Sequence, residues 1–78
     1  MTTPYYIQIA PLAYKQILAL AAIQQKIILK LIEALSINPR PPGAKKIEGL
    51  MGLYCEYINE LRVIYKIEEH TILILVVK

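Results

Sequence analysis

Apolar and polar residues alternate near the start of the chain. Tyr5, Ile7 and Ile9 would share one side of a strand over residues 5–10, with Tyr6 and Gln8 on the other. Pro11 follows, suited to a first helical turn, where its missing N–H costs nothing. Tyr14, Ile17, Leu18 and Ala21 then recur at i, i+3, i+4 and i+7, which predicts a first helix over about residues 11–20. A second helix is predicted over 22–37. Ile23, Ile27, Ile28, Leu31, Ala34 and Leu35 form its apolar face, and Gln25, Lys26, Lys30, Glu33 and Ser36 lie opposite. Leu29 falls among the polar positions and is a candidate partner contact. The two helices would pair as an antiparallel hairpin, although no Gly or Pro marks their boundary near residues 20–22. Asn38-Pro39 ends the second helix, and three prolines with Gly43 predict a loop through residue 43.

The last third of the chain reads as strands over 53–58, 61–68 and 71–78. Asn59-Glu60 and Glu69-His70 supply the turns. The run Ile72-Leu73-Ile74-Leu75-Val76-Val77 is apolar on both sides, which predicts a central strand covered on both faces. If Asn59 and Glu60 form the loop, Tyr57 pairs with Arg62 and Cys55 with Ile64, and cross-strand partners point the same way. One face then carries Cys55, Tyr57, Arg62, Ile64 and Lys66. The other carries Tyr54, Glu56, Ile58, Leu61, Val63, Tyr65 and Ile67, and should pack on the helices. Glu56 is the misfit there, since a carboxylate is costly to bury without a partner, and a place near the sheet edge would relieve it.

Seventy-eight residues allow a single domain, 1–78, and a chain this short buries only about 60% of its unfolded surface. One cysteine excludes an internal disulfide, and one Cys with one His makes a zinc site a poor expectation. Hydrophobic residues make up 56% and charged ones 19%, more apolar surface than so small a domain hides, so a partner or a second copy of the chain is expected to cover part of it. The net charge is +3, unevenly spread. Residues 1–46 hold six basic and one acidic residue, and residues 47–78 hold three basic and five acidic. The basic half suits a phosphate-bearing or acidic partner. No secretory signal or membrane-spanning run is read, and a free thiol fits a reducing cytoplasm. An open sheet face bearing Arg62 and Tyr57 is a plausible seat for RNA, because guanidinium holds phosphate and tyrosine stacks on bases.

The segment Asn38-Pro39-Arg40-Pro41-Pro42-Gly43-Ala44-Lys45-Lys46, followed by Gly49, Gly52-Leu53-Tyr54 and Leu61-Arg62-Val63-Ile64-Tyr65, resembles the RelE/ParE toxins of bacterial toxin–antitoxin systems, RelE above all. The resemblance covers most of the chain and implies an α+β fold: an N-terminal strand, then a two-helix hairpin packed on an antiparallel β-sheet, in the order β-α-α-β-β-β. It also implies a cytoplasmic toxin that binds the ribosome and cuts mRNA in the A site without metal or other cofactor, and a RelB-like antitoxin that wraps it. In that chemistry a 2′-hydroxyl attacks the neighbouring phosphodiester while basic side chains stabilise the developing charge. By position, Arg62 matches the family's catalytic arginine. Arg40, Lys45 and Lys46 match basic loop positions that touch RNA backbone, and Tyr57 lies beside Arg62.

The family's strand residues at the positions of Cys55 and Tyr57 are usually basic. A thiol or phenol supplies little charge at neutral pH. No His or carboxylate is placed to activate Cys55 as a nucleophile. Lys66 lies on the same face but one step further along. The family's basic segment with a tyrosine beyond the last strand has no counterpart before Lys78. The resemblance thus implies a weakened nuclease, with two alternatives: a ParE-like toxin that binds DNA gyrase, or a catalytically inactive remnant that binds an antitoxin.

Overall fold

The computed structural model describes residues 4–41, 43–47 and 52–78. Pro42 and Gly49, which help carry the family resemblance, lie outside the described residues. The elements run β1 (Tyr6–Ile9), α1 (Pro11–Leu18), α2 (Ala22–Ile37), β2 (Lys45–Lys46), β3 (Leu53–Ile58), β4 (Leu61–Glu68) and β5 (Thr71–Val77). The α+β class is borne out, with two differences from the expected β-α-α-β-β-β order on an antiparallel sheet: β2 is an added strand, and one strand pair is parallel. The sheet is mixed, in the order β1-β5-β4-β3-β2, and β1 runs parallel to β5 while the other neighbours are antiparallel. β5 is therefore an interior strand, but α1 and α2 pack on only one of its faces, and Leu73 and Val76 on the other are half-buried, not covered as its apolar run predicts. Ile7 and Ile9 of β1 stand beside Ile72 and Ile74, so the strand face read from alternation finds its partners on β5.

Both helices pack on one face of the sheet. The core joins Ala13 and Ile17 of α1, Ile28, Ile32 and Leu35 of α2, and Leu61, Val63, Tyr65, Ile72, Ile74 and Val77 of the sheet. Burying each such aliphatic side chain is worth about 1.5–3 kcal/mol. Ile32 and Ala13 join this core although the helical periodicity did not single them out. The helices are rotated from the predicted faces: Tyr14 (55% exposed), Leu18 (59%) and Ile23 (70%) face outward. The apolar arc of α2 spans about half its circumference, and the sheet takes only the sector around Ile28, Ile32 and Leu35.

Two glutamines set the helix boundary that no Gly or Pro marks. Gln24 Oε1 accepts the Ala21 N–H (3.2 Å) at the start of α2, and Gln25 Nε2 donates to the carbonyls of Leu20 (3.0 Å) and Leu18 (3.4 Å) that end α1. A third glutamine ties α1 to the sheet. β5 runs on past β1, a bulge shifts its register against β4 at Ile64/Tyr65, and the freed Val77 N–H donates to Gln16 Oε1 (2.8 Å).

The loop after α2 is anchored from the sheet. The buried Tyr65 hydroxyl donates to the Pro39 carbonyl (2.8 Å), and its ring stacks on Tyr54 at 5.9 Å. Gly43 lies where a Cβ would come within 2.9 Å of Glu56 Oε1, so a larger residue there would displace that carboxylate. Gly52 combines a φ of +75° with a place where a Cβ would meet the Ile67 carbonyl at 2.9 Å, so no other residue type fits without strain. Asn59 and Glu69, at φ 54° and 51°, turn the two hairpins.

Candidate nucleic-acid interface

Strand pairing lays out the sheet face turned away from the helices. Tyr57 stands opposite Arg62 across β3 and β4. Arg62 in turn exchanges both backbone hydrogen bonds with Lys78, at 2.7 and 3.0 Å, so Lys78 points to the same side. One rung further along, Lys45 is opposite Cys55, which is opposite Ile64, which is opposite Val76. The next rung holds Leu53, Lys66 and Leu73, and beyond it come Glu68 and Thr71. The face therefore runs from a basic end (Arg62, Lys78, Lys45) through an apolar middle to an acidic end at Glu68 and Glu69.

This arrangement sorts the residues singled out in the sequence. Arg62 and Tyr57 are neighbours on the exposed end of the face, and Lys45 joins them diagonally. Lys46 pairs with Tyr54 and so belongs to the opposite face. Arg40 is also apart. Its Nε donates to the Tyr54 hydroxyl (3.0 Å), and its guanidinium lies over that ring at 5.5 Å. The hydrogen bond to Tyr54 raises the guanidinium's affinity for its proton. Tyr54 faces the helices with Tyr65, so Arg40 and Arg62 serve different sides of the molecule. Leu29 is half exposed on α2, away from all of these. Lys66 turns from the basic end to pair with Glu68 at 2.7 Å. Cys55 is a buried free thiol at only 8% exposure.

Lys78 is the residue that sequence reading missed. Local counting does not find it: pairing run out from the Glu69-His70 turn sets Val77 opposite Arg62. The bulge in β5 hid it, because uninterrupted pairing from the Glu69-His70 turn would have shifted the register by one residue.

The inner face holds the strained chemistry. Glu56 is half-buried, its Oε2 has no hydrogen-bond partner among the described residues, and desolvation pushes its carboxyl above the usual range. It is not on the edge strand but one strand in, beneath Gly43. Burial first, and the nearby Glu56 second, push the Tyr65 phenol up to about 12. These groups sit under the loop, remote from the basic row.

No protein-family model and no curated protein matches the sequence. Solved structures do match in fold. A chain of the RelE–RelB complex from Pyrococcus horikoshii OT3 superposes with a TM-score of 0.85 at 26% identity, over 99% of this chain and 94% of that one. A chain of the RelBE2 toxin–antitoxin complex from Mycobacterium tuberculosis gives 0.84 at 22% identity, over 96% of each chain. The YoeB dimer from Staphylococcus aureus gives 0.80 at 23% identity, over 96% and 95%. The chain has the RelE fold over nearly its whole length, and the resemblance read from the sequence is borne out.

Proposed function

We propose that this chain is the toxin member of a RelE-type toxin–antitoxin pair, acting on ribosome-bound mRNA at the A site with weakened cleavage. The observation that supports this most is the row Tyr57–Arg62–Lys78, with Lys45 one rung away, on the sheet face that no helix covers. Two cations on one rung suit a phosphodiester, and the Tyr57 ring offers a stacking surface for an adjacent base. The described structures of similar fold include complexes of RelE with RelB, which supports an antitoxin as the partner of this chain.

In this reading the substrate's own 2′-hydroxyl is the nucleophile. Arg62 stabilises charge on the phosphorane oxygens, and Lys78 and Lys45 hold flanking phosphates. Such electrostatic stabilisation is worth about 3–4 kcal/mol per well-placed donor. Among the described residues, the row lacks a second group aimed at the attacking or leaving oxygen, since Cys55 is buried and Lys66 is engaged by Glu68. Cleavage should be slow for that reason.

The test is a reconstituted reaction of the full chain with ribosomes programmed with mRNA, followed by mapping of the new 5′ ends. Slow A-site cleavage that disappears in Arg62→Ala is expected. Cleavage unchanged by Arg62→Ala would overturn the site. Intact mRNA together with inhibited gyrase would replace this reading with the ParE-like one. Antitoxin binding without either effect would leave the inactive remnant.

A further inference from the structure

The sheet has two edges, and they are finished differently. β2, at one edge, is two residues long and both are lysines, charges that resist the addition of a further strand. β1, at the other edge, has no such guard. None of residues 5–14 is charged, and Pro4 and Pro11 flank the strand without entering it. The N–H groups of Tyr6 and Ala10 donate to the carbonyls of His70 (2.9 Å) and Ile74 (2.8 Å). Alternation along a parallel pair then turns the N–H and C=O groups of Ile7 and Ile9 to the open side, where they have no hydrogen-bond partner among the described residues. Tyr6 stands on the same strand, 71% exposed.

We infer that β1 pairs antiparallel with β1 of a second copy, about a two-fold axis at Gln8. The free donors select that register. It sets Ile7 of each copy against Ile9 of the other, so both outward N–H groups of each copy find carbonyls. An axis at Ile7 would set Ile9 against Tyr5, whose N–H is already given to the Ser36 carbonyl (2.8 Å). An axis at Ile9 would set Ile7 against Pro11, which has no N–H. The Gln8 register also lays Tyr6 beside the second copy's Ala10, a large side chain next to a small one, and brings the two Gln8 amides together as donor and acceptor. A foreign strand would satisfy the same backbone groups, but the two-fold match of Ile7 with Ile9 and of Gln8 with itself belongs to a second copy. The inference does not rest on the RNA reading, because β1 lies at the edge remote from Lys45.

The contact is small, so the full chain is followed by sedimentation equilibrium from about 10 µM to about 1 mM, the range of weak association. Amide hydrogen exchange is read by NMR at both ends of that range. A monomer–dimer equilibrium is expected, with the Ile7 and Ile9 amides exchanging about fivefold or more slowly at the higher concentration. The Gln8 amide faces β5 and should be protected at both. Gln8→Glu puts two carboxylates at the axis, next to the Glu68 and Glu69 that line a recess with Gln8. It should raise the dissociation constant about tenfold or more, and added salt should recover part of the loss. The fold should keep its melting midpoint, since Gln8 is exposed. A synthetic chain N-methylated at Ile9 loses an outward donor and no bond to β5, and should stay monomeric. A parent chain that is monomeric throughout would overturn the inference. So would a dimer in which the Ile7 and Ile9 amides exchange as they do in the monomer, or one that both variants leave intact.

Discussion

Tyr65 and Arg62 lie three residues apart on β4 and point to opposite sides of the sheet, into surroundings of different kinds. Tyr65 is fully buried, stacked on Tyr54 and hydrogen-bonded to the loop that follows α2. Arg62 is exposed, flanked by Tyr57 and Lys78, and contributes only its backbone to the fold. The inner face spends its side chains on folding. The outer basic end spends none, and is free to serve a ligand. That contrast lets residues at the exposed end of the outer face vary without touching the core.

The largest expected effect falls on the inner face. Tyr65→Ala should cost about 3–5 kcal/mol, against about 4–12 kcal/mol of total stability for a chain of this length, and urea denaturation followed by circular dichroism should show the midpoint fall by roughly half. Tyr65→Phe removes one hydroxyl, strands the Pro39 carbonyl and should cost about 1–3 kcal/mol. The neutral phenol also makes stability depend on pH. Its folded value is raised from 10.0 to about 12, so its contribution is fully present below pH 10 and is lost as pH rises through about 12. The urea midpoint of the parent chain should fall over that window, and that of Tyr65→Phe should lack this fall.

Arg62→Ala and Lys78→Ala probe the outer face. Each should leave stability within about 0.5 kcal/mol. Each should weaken binding of a single-stranded RNA about tenfold at low salt, and flatten the slope of log affinity against log salt by about 0.7. A loss of stability matching the loss of affinity would erase the distinction between the faces.

Glu56→Gln sharpens the comparison from the inner side, where a carboxylate sits without a partner. Its folded value is raised, so the protonated form stabilises fully below the ordinary 4.5, and that stability is lost as pH rises through the raised value. The glutamine variant should therefore be the more stable at pH 7, and its advantage should vanish as pH falls toward 4, read from thermal midpoints across that range. The smallest effect is at a turn. Glu69→Gly relieves a left-handed conformation and should raise stability by about 0.5 kcal/mol, after the entropic cost of glycine is counted.

How much of this was legible in the sequence differs by scale. The bounds of α2, β3 and β4 follow from local signals: Asn38-Pro39, the Asn59-Glu60 turn and strict alternation. The pairing of Tyr57 with Arg62 follows from the turn length alone. The rotation of the helices does not, because an apolar arc of half a turn is compatible with several sectors and the sheet selects one. Neither does the parallel pairing of β1 with β5, which joins distant segments with no turn to fix register. The two-residue β2 is too short for periodicity to reveal. In the candidate site, Arg62 and Tyr57 were legible by alternation, and Lys45 entered only as a basic loop position that the family resemblance implies. The separation of Arg40 and Lys46 from them, and the addition of Lys78, needed the register of β2 and the bulge in β5.

The position of β5 bears on how the molecule comes into being. During synthesis β1 and both helices emerge long before β5, the strand on which β1 pairs and against which α1 packs. Until β5 is made, the early half of the chain has an apolar helix pair and no sheet to rest on. Folding of such a topology is paced by non-local closure rather than by helix formation. The Tyr57–Arg62–Lys78 rung is assembled in that same closing step, since Lys78 reaches Arg62 only when β5 docks on β4. The outer row is therefore among the last features of the fold to be completed, after both helices have been made.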